Sequence, residues 1–168
     1  YRPAGTKNIR LLMKNYRLSD DIAFRFSEQT WKEWPVTTDK FSQWVDAHHG
    51  NGQTINLFMD YETFGEHQWE ATGIFDFLRH FPEAILRHPD NDFMTPSEVI
   101  DRYEPVGEVD VPQVLTWADT ERDLSAWIGN RMQQEAIKEI YALEKDIRKL
   151  ADRKILRDWR LLQTSDHF

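Results

Sequence analysis

Residues Leu57 to Trp69 read LFMDYETFGEHQW. The apolar run that begins at Ile55 stops at Asp60, and behind it come Glu62, Glu66 and His67, with aromatic side chains between them and a glycine at Gly65. The pattern predicts a buried strand that delivers Asp60 to an exposed loop at its C-terminal end. In barrels and open α/β sheets of parallel strands, reactive side chains gather at that end. Chemistry is therefore expected at this loop from the residue pattern alone.

Upstream, Ile9 to Arg17 (IRLLMKNYR) reads as a second strand. Ser19 offers an N-cap for a short helix containing Ile22, Phe24 and Phe26. Phe41, Trp44, Val45 and His48 recur at helical spacing after Thr38, and Gly50-Asn51-Gly52 closes that helix. Strands near 9–17 and 54–60 with a helix between them make a βαβ unit, which implies parallel pairing and a right-handed crossover. Downstream the pattern turns helical. Thr72 is a candidate cap for a helix carrying Phe75, Leu78 and Phe81, interrupted at Pro82. Thr95-Pro96-Ser97-Glu98 combines a capping box with proline at the first helical position, predicting a helix over 96–103. A long helix is expected from about Asp123 to beyond Leu150, buried along Ile140, Leu143, Ile147 and Leu150. Asp152-Arg153-Lys154 is its expected break, before Ile155, Leu156, Trp159 and Leu162 resume the period.

The chain has 168 residues, a net charge of −8, seven Trp, ten Phe and five Tyr, and no cysteine. A polyanionic partner such as nucleic acid is not expected, because its binding rests on Lys and Arg neutralising phosphates. Neutral sugars fit better: their apolar faces stack on aromatic rings, although most Phe side chains are expected in the core. Disulfides and Cys-ligated metal sites are excluded. No stretch reaches the roughly 20 apolar residues of a membrane helix, and YRPAGTKN at the start has no apolar leader. A cytoplasmic location and no membrane partner are the matching expectations. Two parallel strands do not make a stable sheet by themselves. The sequence therefore reads as part of a longer protein, and the apolar surface left by missing strands would let the piece dimerise.

Three stretches, KNYRLSDDIAFRFS (Lys14 to Ser27), LFMDYETFGEHQWE (Leu57 to Glu70) and LTWADTERDLSAWIGN (Leu115 to Asn130), with the ending LQTSDHF, resemble glycoside hydrolase family 57. Its members are α-amylase-like retaining enzymes acting on α-glucans. The resemblance implies an α/β fold: the helix-rich terminal portion of an incomplete seven-stranded β/α barrel over 1–113, followed over 114–168 by the start of a C-terminal helical region. It places Asp60 where the family has its general acid/base, and the family's glutamate nucleophile in a motif before this region. An α-glucan is the implied partner, no metal or organic cofactor is implied, and the piece alone is expected to be inactive.

The chemistry agrees with that placement of Asp60. A retaining glycosidase needs one carboxyl group to protonate the leaving oxygen and a second, about 5–5.5 Å away, to attack the anomeric carbon. Burial beside Phe58, Met59 and Phe64, with Glu62 and Glu66 near in sequence, would keep such an acid protonated. By the same resemblance Trp117 faces substrate. Asp119, Glu121 and Asp123 can accept bonds from sugar hydroxyls, or stabilise the N-terminus of the following helix. Glu66 belongs to the same acidic loop as Asp60, and His67 can contact sugar, orient Asp60 or make a structural hydrogen bond.

Other readings compete. D-x-E-T-x-G after a strand resembles the first motif of 3′–5′ exonucleases, in which Asp60 and Glu62 would hold metal ions. That fold continues into an antiparallel hairpin, whereas helix is expected here after Trp69. A grouping of His48, His49, Asp60, Glu66 and His67 around one ion fits poorly, since adjacent histidines in a helix point apart. The charged helix after Asp123 would also serve a non-catalytic interaction module.

Overall fold

The computed structural model describes residues 1–118 and 120–168 and divides into two compact units, Tyr1–Val109 and Asp110–Phe168. Among the described residues the protein is a helix-rich α/β chain with two parallel strands. Those strands are β1 (Arg2–Pro3) and β2 (Glu108–Val109), with Arg2 opposite Glu108 and Pro3 opposite Val109. They are not the strands expected near 9–17 and 54–60. There the described backbone makes one parallel bridge, Lys14 to Asn56, in which Asn15 N–H donates to the Asn56 carbonyl at 2.9 Å. One bridge is no ladder, so these segments flank each other in parallel without forming strands.

The first unit is built on helices α1 (Tyr16–Ala23), α2 (Thr38–Asp46), α3 (Ile74–Leu86) and α4 (Pro96–Arg102). The cap of α1 is Asn15, whose side chain accepts from Leu18 N–H at 3.2 Å; Ser19, expected in that role, lies inside the helix and is fully buried. Thr37 caps α2 by accepting from Lys40 N–H, and Phe41 and Val45 turn inward as their spacing predicts. Helix α3 begins after Gly73, not at Thr72. Gly73 has φ of +83°, a conformation strained for any residue with a Cβ. Pro82 does not interrupt α3. The proline forfeits one helical hydrogen bond, at a cost of about 3 kcal/mol. Burying Ile74, Phe77, Ala84 and Ile85 on one face offsets it, since each large side chain contributes roughly 1.5–3 kcal/mol. Of the expected stripe, Phe81 packs on the core and Leu78 is half-buried, while Phe75 stays exposed.

Phe41 is the centre of the core. Its ring meets Phe77 at 5.7 Å, Phe81 at 5.6 Å and Trp44 at 5.9 Å, with Leu18, Ile22, Phe26, Val36 and Ile74 in the same cluster. The capping box of α4 is formed as predicted: Thr95 accepts from Glu98 N–H, and Glu98 accepts from Thr95 N–H.

In the second unit the helix expected from about Asp123 to beyond Leu150 is three, α5 (Ser125–Ile128), α6 (Arg131–Ala142) and α7 (Glu144–Leu150), and α8 (Arg153–Leu161) follows the break expected at Asp152. Asn130 and Gln133 form a capping box that starts α6 afresh. Ala151 at φ +52° ends α7, and Asp152 caps α8 by accepting from Lys154 and Ile155 N–H. Of the expected stripe only Ile147 is buried; Ile140 is half-buried, while Leu143 and Leu150 are exposed because these breaks rotate the helical faces. Trp159 replaces them as the anchor, buried against Tyr141 with its indole N–H donating to the Ile140 carbonyl at 2.8 Å.

Candidate active site

The segment leading to Asp60 alternates. Ile55, Leu57 and Met59 pack on the core, while Phe58 and Asp60 face outward. The run is thus half-buried rather than the fully buried strand expected, and the alternation sets the phase that points Asp60 away from the core. Two side chains hold the segment in place. Asn56 donates its side-chain amide to the Met13 carbonyl at 3.0 Å, and the buried hydroxyl of Ser19 accepts from Phe58 N–H at 3.1 Å.

Beyond Asp60 the chain makes a 3₁₀ turn over Tyr61–Thr63 and then folds back on itself. The Asp60 carbonyl accepts from Thr63 N–H, the Glu62 carbonyl accepts from Glu66 and His67 N–H, and Gly65 N–H donates to the Gln68 carbonyl. Gly65 sits at φ +116°, and a Cβ there would meet the Phe75 ring at 3.6 Å. Thr63 and Gln68 are buried beneath this loop, and Gln68 donates its amide to the Ala23 carbonyl at the end of α1 at 3.1 Å. The other amide atom, Gln68 Oε1, is buried and has no hydrogen-bond partner among the described residues. The outcome is a loop pinned from below that presents Asp60, Glu62, Glu66 and His67 to solvent. Tyr61 (95% exposed) and Trp69 (67% exposed) flank them, which gives carboxylates and flat apolar rings on one short stretch.

Asp60 is exposed, so the burial expected beside Phe58, Met59 and Phe64 is not supplied within this chain. A cleft of about 920 Å³ in the first unit is lined by Lys14, His49, Asn56, Leu57 and Tyr103 among others, and its wall stops short of Asp60.

Trp117 belongs to the second unit and is largely exposed. Its carbonyl accepts from the Arg122 guanidinium, while Thr116 donates its N–H to the Arg122 carbonyl and its hydroxyl to the Asp123 carbonyl. Asp119 lies outside the described residues. Hydrogen bonds from Ser125, through its side chain and then its backbone, hold the Asp123 carboxyl below the usual aspartate range. The backbone bond, from Ser125 N–H to Asp123 Oδ1, is 2.8 Å.

The histidine-rich grouping suggested by the sequence is not assembled. His48 Nδ1 bonds the Trp44 carbonyl at 2.8 Å, and His67 belongs to the Asp60 loop. His49 instead meets Asp46 and His88, a cluster the sequence analysis missed. Its available signal was the i, i+3 spacing of Asp46 and His49. After Trp69 the chain forms a 3₁₀ turn and then α3, with no antiparallel hairpin among the described residues. None of the described helices is long and apolar enough to cross a membrane.

A family model described as glycosyl hydrolase family 57 matches residues 1–112. A protein of Methanocaldococcus jannaschii named "Putative alpha-amylase" is 44% identical over 169 residues, covering 95% of this chain. The chain spans 36% of that relative's length. No solved structure matches.

Proposed function

Because the chain belongs to glycosyl hydrolase family 57, we propose that it carries the general acid/base and part of the sugar site of a retaining glycoside hydrolase acting on α-glucans. The observation that carries this reading is the presentation of Asp60: the alternation at Ile55, Leu57 and Met59 turns it outward, and Ser19 and Gln68 hold its loop from two sides. As general acid, Asp60 donates its proton to the glycosidic oxygen while a glutamate nucleophile forms the glycosyl-enzyme bond. As general base it then takes a proton from the attacking water. Exposed Tyr61 and Trp69 offer faces for glucose rings and Glu66 and His67 offer polar contacts; Trp117 and Asp119 are proposed as sugar-binding residues on the family resemblance alone. Bound glucan would exclude water from Asp60 and supply the desolvation that the chain by itself does not.

No residue of this chain is assigned as the nucleophile; the 64% of the relative's length that the chain does not span is where we place it (100 − 36). By this reading residues 1–113 form the last part of a β/α barrel and 114–168 begin a helical region. The isolated chain then hydrolyses no glucan, and efficient turnover of a blocked maltooligosaccharide by it would refute that. It is further proposed to self-associate through exposed apolar side chains such as Phe24 and Val106. Elution as a monomer at every concentration would count against this.

The test of the main reading is Asp60→Asn in the full-length parent. The amide keeps the shape but cannot deliver the proton, so kcat on amylose is expected to fall about 10²–10⁴-fold while glucan binding persists. Undiminished cleavage would remove Asp60 from the mechanism.

A further inference from the structure

We propose that the C-terminal ends of α2 and α3 form a binding site for one divalent transition-metal ion of the zinc class, with Asp46, His49 and His88 as ligands. Asp46 is the last residue of α2, and His49 follows on the same side, its N–H donating to the Asp46 carbonyl at 3.0 Å. His88 lies just past the end of α3. Packing of α2 on α3, fixed by the bond from Ser42 Oγ to the Ala84 carbonyl at 3.1 Å, brings the two histidine rings to 4.2 Å between centroids. One ligand atom from each of the three residues lies within 4.8 Å of the others, and His49 Nε2 is 3.7 Å from Asp46 Oδ1.

Those spacings suit one ion. Bonds of about 2.0–2.2 Å at tetrahedral angles place neighbouring ligand atoms roughly 3.4 Å apart. The Asp46–His49 pair is already near that value. The remaining closure is a side-chain rotation of roughly 1 Å, which exposed His49 can make. Two imidazoles and one carboxylate select zinc-class ions over magnesium and calcium, which prefer oxygen alone, and leave a fourth position for water.

The surroundings also fit. Asn91 donates its side-chain amide to Asp46 Oδ1 at 2.8 Å and to the Ile85 carbonyl at 3.1 Å, fixing the carboxylate in orientation as supporting residues of metal sites do. Asn91 Oδ1 also bonds His49 Nε2 at 2.9 Å, a contact the ion would displace. The ion would clasp two helix ends across half-buried Asp46, His88 and Asn91 and exposed His49. It lies apart from the proton transfer proposed for Asp60 and does not depend on it.

The experiment uses the whole 168-residue chain, stripped with a chelator and titrated with zinc chloride alone. Calorimetry should give one Zn²⁺ per chain, and Tm should climb with free Zn²⁺ while magnesium and calcium leave it unmoved. His49→Gln and His88→Gln should each weaken Zn²⁺ binding by about 100-fold or more, beyond the about 10–100-fold typical of a supporting residue. His48→Gln should bind as the parent does, since that ring bonds the Trp44 carbonyl. Should a ligand variant fail to fold, imidazole nitrogen NMR of the unaltered chain decides. Zn²⁺ must then move the resonances of His49 and His88 and leave His48 in place. Absence of stoichiometric Zn²⁺, or an equal response at His48, overturns the proposal.

Discussion

The hydroxyl of Ser19, buried inside α1, accepts the backbone N–H of Phe58 at 3.1 Å, two residues before Asp60. A helix thereby sets the height of the loop that carries the proposed acid. Ser19→Ala removes the acceptor without adding bulk. A lost hydrogen bond with a desolvated donor costs about 1–3 kcal/mol, and the exposed end of this segment places the expected loss at about 1 kcal/mol. Urea unfolding of the chain measures it. In the full-length parent the same variant should lower kcat with little change in glucan affinity.

Gln68 anchors the loop from the other side. Gln68→Glu keeps its size but replaces the amide donor with a carboxylate facing the Ala23 carbonyl. An ionised carboxylate there is buried and meets an acceptor, so a loss of at least about 2 kcal/mol at neutral pH is expected. The protonated form can donate to that carbonyl, so the folded state favours it and the variant's pKa rises on folding. Its deficit should shrink as pH falls below that raised pKa and be complete above it. Equal destabilisation at pH 4 and pH 8 would contradict this.

Glu98 is shifted the opposite way. Hydrogen bonds from the Thr95 N–H, and then from its hydroxyl, hold this carboxyl below the usual glutamate value. A depressed folded-state pKa means the contribution is present above the unfolded value of about 4.3 and disappears as pH falls through the lowered one. Glu98→Gln should therefore flatten part of the acid limb of stability against pH. A side-chain carbon NMR titration reads the shift directly.

In the second unit, Trp159 joins α8 to α6 through its bond to the Ile140 carbonyl. Trp159→Ala is expected to cost about 3–5 kcal/mol, and Trp159→Phe, which keeps most of the apolar area but loses the donor, about 1–2 kcal/mol. Helical circular dichroism during thermal unfolding distinguishes them.

These residues show where the sequence was readable. Thr95 and Glu98 announce α4 because a capping box is local, and Phe41 and Val45 announce α2 because helical spacing is too. Asp60 stands out because an apolar run ends at it. The run's pairing partners are not local, so its apolar character suggested a strand where the backbone forms a single bridge. Ser19 has the right side chain for a cap, but Asn15 starts the helix a turn earlier and leaves Ser19 facing Phe58. The apparent long helix after Asp123 dissolves at Asn130, whose side chain satisfies a free helix N–H group that periodicity does not register, while the break expected at Asp152 is there as the cap of α8. Asp46, His49 and His88 meet only because two helix ends converge.

Arg2 pairs with Glu108 across 106 positions of sequence, by parallel backbone register and by their side chains. Closing a span of that length costs about 4 kcal/mol of chain entropy beyond a constant term. So short a ribbon cannot recover that until the intervening helices have condensed. The clasp at the margin of the first unit is thus expected to form last and open earliest. The amides of Arg2 and Ala4 would then be early markers in deuterium exchange of the unit loosening.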